Sequence, residues 1–147
     1  MHRPVLVTGA SSGIGEATAV FLARAGFRVY AGARRFEKLR ALEGMGDGRI
    51  TPLELDVTDA ASIESAMARI HADGASLYGL VNNAGISVTG PIEEVPIEEW
   101  RAQFETNVFG AVAMTKAVLP AMRKARAGRI ANIGSVSGRL AAPFMGA

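Results

Sequence analysis

The chain contains no cysteine, which excludes a disulfide framework and a thiolate metal site. Histidine is scarce: His2 and His71 stand far apart without ligand spacing, so no metal is expected. Long apolar runs are missing too. Nothing approaches the length of a membrane span, and the N-terminus lacks the extended apolar segment of a signal peptide. The formal net charge is only +2, with no lysine/arginine run and no interleaving of aromatic with basic residues, which argues against nucleic acid as a partner. A cytoplasmic setting is expected.

What is present is apolar mass in a regular order. Hydrophobic residues make up 49% of the 147, enough for the core of one modest domain. Apolar β-rich segments at Pro4–Thr8, Arg28–Gly32, Ile50–Leu55, Tyr78–Asn82 and Arg129–Ser135 alternate with helical patterns near Gly13–Ala25, Phe36–Leu42, Asp59–Ala72 and Ile97–Ala125. Short buried strands alternating with helices imply right-handed βαβ units, hence an α/β fold with a parallel sheet covered on both faces. Gly26, the Gly44–Gly48 stretch, Gly74 and Gly128 mark helix stops or turns. Thr58 or Asp59 is the expected N-cap of the third helix. The last helix is long, with Trp100, Phe104, Val108, Ala111, Thr115 and Leu119 at helical spacing along one face. Pro120 is expected to kink or interrupt it.

The segment Thr8-Gly9-Ala10-Ser11-Ser12-Gly13-Ile14-Gly15 lies between the first strand and the first helix. In that place glycines let the backbone turn tightly and approach a pyrophosphate, and the helix start offers unpaired N–H groups and the positive end of its dipole. Two other readings compete. One is a structural turn without a ligand. The other is a Gly-x-Ser-x-Gly nucleophile elbow over Gly9–Gly13, with Ser11 as nucleophile and Asp56 and His71 following in order. His71 falls inside a helical segment rather than on a loop, which weakens that reading. No Gly-Lys-Ser/Thr follows, so a Walker A loop is excluded.

Further candidates sit at the ends of the later strands. After the second strand, Ala33 occupies the place where an acid would bind a ribose 2′-hydroxyl, and Arg34 and Arg35 follow, which is either a solvated basic loop or, beside the glycine turn, a site suited to the 2′-phosphate of NADP. Asp56, closing Leu55-Asp56-Val57, is either an acceptor for an adenine amino group or a capping, solvated acid. Asn82-Asn83-Ala84-Gly85 is either a turn or a brace that lets Ala84 and Gly85 pass close to a cofactor ribose. Asn107 is an amide on an apolar helix, close to the buried face, and by itself is more often a satisfied core Asn than a catalytic one. Ser135 ends the fifth strand, where a hydroxyl points into a ligand crevice; with no evident histidine partner it is either a hydrogen-bond donor there, not a nucleophile, or simply a strand-end turn serine.

Together these residues resemble the short-chain dehydrogenase/reductase family, over the whole chain and in order. Thr8-Gly9-x-x-x-Gly13-x-Gly15 looks like its cofactor turn, with Ser11, Ser12 and Ile14 inside it. Asn82-Asn83-Ala84-Gly85 looks like its sheet-bracing motif. Asp56 with Val57 matches the adenine position, Arg34 and Arg35 the NADP-selective one, and Asn107 and Ser135 two of the catalytic residues. The resemblance implies a Rossmann-type doubly wound sheet in strand order 3-2-1-4-5. It also implies an oxidoreductase that passes hydride between NADP(H), less favourably NAD(H), and a secondary alcohol or ketone, by general acid–base catalysis with a cofactor. Leu140, Phe144 and Met145 suggest an apolar substrate, and the Gly138–Met145 stretch resembles the hydroxysteroid and retinol dehydrogenase branches.

The family's Tyr-x-x-x-Lys motif is missing. The only tyrosines, Tyr30 and Tyr78, are in early strands with no lysine four residues on. The expectation is therefore that residues 1–147 form a dinucleotide-binding domain that is C-terminally incomplete, lacking the last strands. Alone it is expected to be inactive and prone to aggregate through its exposed last strand and long helix, while the complete protein forms a homo-oligomer. A binding module without catalysis, a sensor or scaffold, is the alternative.

Overall fold

A computed structural model describes residues 3–140 and 143–144; His2 and Met145 lie outside the described residues. Five strands, β1 (Pro4–Thr8), β2 (Arg28–Ala33), β3 (Ile50–Glu54), β4 (Gly79–Asn82) and β5 (Arg129–Asn132), form one sheet in the order β3-β2-β1-β4-β5. Every pairing is parallel. This is the Rossmann-type sheet expected above. The helices are α1 (Gly13–Arg24), α2 (Phe36–Glu43), α3 (Ala60–Ala72), α4 (Ile97–Phe104) and α5 (Ala111–Ala125). None of the described helices is long and apolar enough to cross a membrane.

Alternation along the strands divides the core in two, because successive side chains leave a strand on opposite faces. Leu6, Tyr30, Leu53 and Leu80 pack with Ile63, Ile70, Met114 and Val118 of α3 and α5. Val5, Val7, Val29 and Ala31 pack on the other face with Ala19 and Ala23 of α1 and Leu39 and Leu42 of α2. Register supports the split: Leu6 pairs with both Tyr30 and Leu80, so one layer of large side chains runs across three strands.

The long helical pattern forms with a different interruption from the one expected. Residues Glu105–Gly110 form a π-helical turn between α4 and α5. Pro120 sits inside α5 without ending it. Pro120 and Lys116, whose carbonyl loses its partner, are both on the exposed side, where water replaces the missing bond. The face that buries is also rotated: Met114, Val118 and Met122 are buried, while Phe104 and Val108 are 49% and 44% exposed. Strand β5 ends at Asn132, earlier than its apolar run, because its partner β4 ends at Asn82 and the Ile133 N–H is the last to bond across, to the Asn82 carbonyl at 2.9 Å. Asp59, not Thr58, caps α3, accepting from the Ala61 N–H at 3.0 Å.

Candidate active site

The strand order reverses between β1 and β4, and a cleft of about 510 Å³ opens at the C-terminal ends of the strands there. That is where open α/β sheets bind ligands. The turn after β1 lines it with Gly9, Ser11, Ser12 and Ile14. Gly9 (φ +66°) and Gly13 (φ +58°) both have left-handed backbone. A Cβ on Gly9 would lie 2.8 Å from the Ala84 Cα, so only glycine lets the turn pass β4 this closely. A Cβ on Gly15 would collide with the Asn83 amide and the Gly9 carbonyl. The space beside Gly13, in contrast, is open.

Helix α1 begins differently from α3. Its N-cap, Ser12, is extended (φ −171°, ψ 165°) and makes no side-chain cap bond. The first-turn N–H groups of α1 therefore stay available to an anion, reinforced by the helix dipole. An uncapped helix start beside open space fits a dinucleotide pyrophosphate.

Two residues behind the turn lock it to β4. The buried Thr8 hydroxyl donates to the Val81 carbonyl (3.3 Å) and accepts from the Asn83 and Ala84 N–H groups, each at 3.0 Å. Its bonding capacity is thereby used within the protein. Thr8 is expected from the sequence to contact cofactor, but it is absent from the cleft lining and acts as a brace between β1 and β4. The Asn83 amide donates to the Thr8 and Gly9 carbonyls at 3.0 and 3.3 Å. Asn83, Ala84 and Gly85 line the cleft beside the turn they pack against.

Ala33, Arg34 and Arg35 form one end of the cleft, with Leu55, Asp56 and Val57 beside them. Arg35 donates to the Ser11 and Ser12 hydroxyls at 3.2 and 3.4 Å, which gathers a guanidinium and two hydroxyls at one point. Asp56 accepts from both the N–H (2.9 Å) and the hydroxyl (2.7 Å) of Thr58. Burial pushes its pKa upward, but the two Thr58 bonds and the Arg34 charge outweigh it and hold the carboxyl below its ordinary 3.8.

Asn107 sits in the π-helical turn and holds the loop after β4 with both ends of its amide. Its Oδ1 accepts from the Ile86 N–H (2.9 Å) and its Nδ2 donates to the Ile86 carbonyl (2.8 Å). Ser135 is exposed beyond β5 and accepts from the Ser137 N–H at 3.1 Å; it is not in the cleft lining. Ile86 and Thr106 line the cleft but are not singled out by the sequence reading. Adjacency to Gly85 and Asn107 was the only available signal. Buried Gln103 was also missed; it lies one helical turn before Asn107.

The elbow reading of Ser11 fails on geometry. His71 is on α3, in a separate groove with Ala117 of α5, and cannot serve Ser11. Tyrosine is equally remote from the cleft. Tyr30 is fully buried and donates to Asp73 Oδ2 at 3.2 Å, in a cluster where Arg28 reaches the same oxygen at 3.1 Å. Burial, before any neighbouring charge, raises its pKa. Neither tyrosine nor lysine lines the cleft among the described residues.

Comparison with known proteins places this fold and cleft in a family. The model for short chain dehydrogenases matches residues 3–147, and the chain belongs to that family. It is 40% identical over 142 residues to a 3-ketodihydrosphingosine reductase of Bacteroides thetaiotaomicron, covering 97% of this chain and 50% of that protein. It is also 40% identical over 135 residues to an NADP-dependent 3-hydroxy acid dehydrogenase of Salmonella typhi, covering 91% and 54%. A solved structure of serine dehydrogenase complexed with NADP+ superposes with a TM-score of 0.89 at 38% identity, covering 96% of this chain and 57% of that one. The chain spans about half the length of the curated relatives it matches.

Proposed function

We propose that this chain is the cofactor-binding part of an NADP(H)-dependent oxidoreductase acting on a secondary alcohol or ketone. The observation that carries the reading is the cleft at the β1/β4 reversal, which joins an uncapped helix start to two arginines that follow Ala33, not an acid, at the end of β2. In this reading the α1 N-terminus holds the pyrophosphate, with Gly9, Gly13 and Gly15 permitting the approach. Arg34 and Arg35, with the Ser11 and Ser12 hydroxyls, hold the 2′-phosphate by charge-assisted bonds. Asp56 and Val57 flank the adenine, and Ala84 and Gly85 flank the ribose beyond the pyrophosphate. When bound, the nicotinamide supplies hydride chemistry. Ser135 donates to the substrate carbonyl, and Asn107 acts by fixing the cleft wall at Ile86.

An apolar substrate of hydroxysteroid or retinol type is supported by Leu140 and Phe144, each 64% exposed, with the Phe144 carbonyl accepting from the Gly90 N–H at 2.9 Å. The relatives named as reductases and dehydrogenases favour an enzyme over a sensor or scaffold. The 147 residues alone are proposed to bind cofactor without turnover, since among the described residues the cleft lining holds no tyrosine or lysine.

Fluorescence titration tests the cofactor. NADPH is expected to bind more tightly than NADH, and Arg34→Asp to reduce that preference by about tenfold or more, the loss of one or two charge-assisted bonds. Equal affinity of the unmutated chain for the two nucleotides, or an unchanged preference in Arg34→Asp, overturns the assignment.

A further inference from the structure

Helix α4 buries one residue, and that residue is a glutamine. Gln103 is 8% exposed, while its neighbours Ile97 and Phe104 are 57% and 49% exposed. A buried amide needs a hydrogen-bonding partner to offset its lost hydration, and this one has a short bond. Its Oε1 accepts from the Val88 N–H at 2.6 Å. One helical turn later, Asn107 bonds both backbone groups of Ile86. Ile86 and Val88 are two residues apart in the same loop, and their backbone groups bond to side chains four residues apart on the helix. Two amides on one helical face thus grip two alternate residues of the loop leaving β4.

The gripped loop is a cleft wall. Ile86 and Thr106 both line the cleft, and Ile86, following β4, lies on the other side of β1 from Arg34 and Arg35, which follow β2. With the 2′-phosphate at the arginines and the pyrophosphate at the α1 start, the Ile86 side receives the other half of the dinucleotide. We propose that Gln103 is a positioning residue for that nicotinamide end. It anchors Val88 so that Ile86, held by Asn107, stays in register with the cleft and the wall is formed before ligand arrives. The inference rests on the dinucleotide reading above.

The test compares two probes on the same chain. NADPH reaches both ends of the cleft, whereas 2′,5′-ADP occupies only the adenosine and 2′-phosphate end. Gln103→Met removes the acceptor; Gln103→Glu keeps an oxygen for the Val88 N–H. Gln103→Met is expected to weaken NADPH by about fivefold or more, consistent with loss of one buried bond, and to leave 2′,5′-ADP within about twofold. Gln103→Glu is expected to restore NADPH affinity. Equal weakening of both probes, no weakening of either, or no rescue by Gln103→Glu overturns the assignment. Failure of the unmutated chain to bind either probe overturns the dinucleotide reading instead. Should Gln103→Met not fold, hydrogen exchange of the unmutated chain decides: the Val88 amide must exchange markedly more slowly than that of exposed Ser87 without ligand, and equal rates reject the clamp.

Discussion

At the scale of single residues, the glycine turn separates two kinds of constraint. Gly9 and Gly13 share a left-handed backbone, but only Gly9 faces another chain segment, at 2.8 Å from its Cβ position. Gly13→Ala is expected to destabilise by about 1–2 kcal/mol, the backbone cost alone. Gly9→Ala adds the collision with Ala84 and is expected to cost at least about 1 kcal/mol more. Urea unfolding checks this, and equal midpoints for the two variants would contradict it. Asp56 makes a pH-dependent prediction. Because its folded pKa lies below the ordinary value, its contribution to stability is present above that value and is lost as pH falls through the folded pKa. Thr58→Ala should raise the Asp56 pKa in a carboxyl NMR titration and shrink this acid-side loss of stability. An unmoved titration midpoint would show that Thr58 does not hold the carboxylate. The residue types at the site were legible because strand ends and glycine spacing are local patterns. Which face of each was used was not: the Thr8 hydroxyl is spent on partners 73 to 76 positions away.

At the scale of elements, helix ends show where local rules were sufficient. Helix α5 stops at Arg126, which takes a left-handed conformation (φ 50°, ψ 30°) more usual for glycine. Arg126→Gly is expected to stabilise the chain by about 0.5–1 kcal/mol, the relief of side-chain strain less the added freedom of the unfolded chain. A lowered urea midpoint would refute this. The break between α4 and α5 was not readable from composition. Proline is the usual sequence signal for a kink, yet Pro120 lies on solvent and the helix passes it. The π-helical turn instead coincides with Asn107 and its two bonds to Ile86, a tertiary contact to a loop 21 positions away. The pairing of Gln103 with Val88 was hidden for the same reason.

At the scale of the molecule, two surfaces stand open. Among the described residues β5 pairs only with β4, leaving a sheet edge. Phe104, Val108, Phe109 and Val112 are 49%, 44%, 56% and 51% exposed along the π-helical turn and its flanks. A contiguous apolar surface of this kind favours association. The chain is expected to sediment as concentration-dependent species at neutral pH, and Phe104→Glu with Val112→Lys to shift it toward monomer. A monomer at all concentrations without these substitutions would argue against association through this face.

The sequence by itself determined the α/β alternation, the glycine turn between strand and helix, and the arginine pair after β2, because each depends on periodicity or spacing within a few residues. These were sufficient to indicate a dinucleotide cleft. Only the tertiary structure decided that the Thr8 hydroxyl braces β1 against β4 and the residues just after it, and that the amides of Asn107 and Gln103 grip the loop after β4. Those facts depend on strand order, which brings β1 beside β4 across more than seventy residues, and on which side of a helix faces the sheet. Hydrogen-bond partners at that separation follow from the packing of the whole sheet, not from any local pattern.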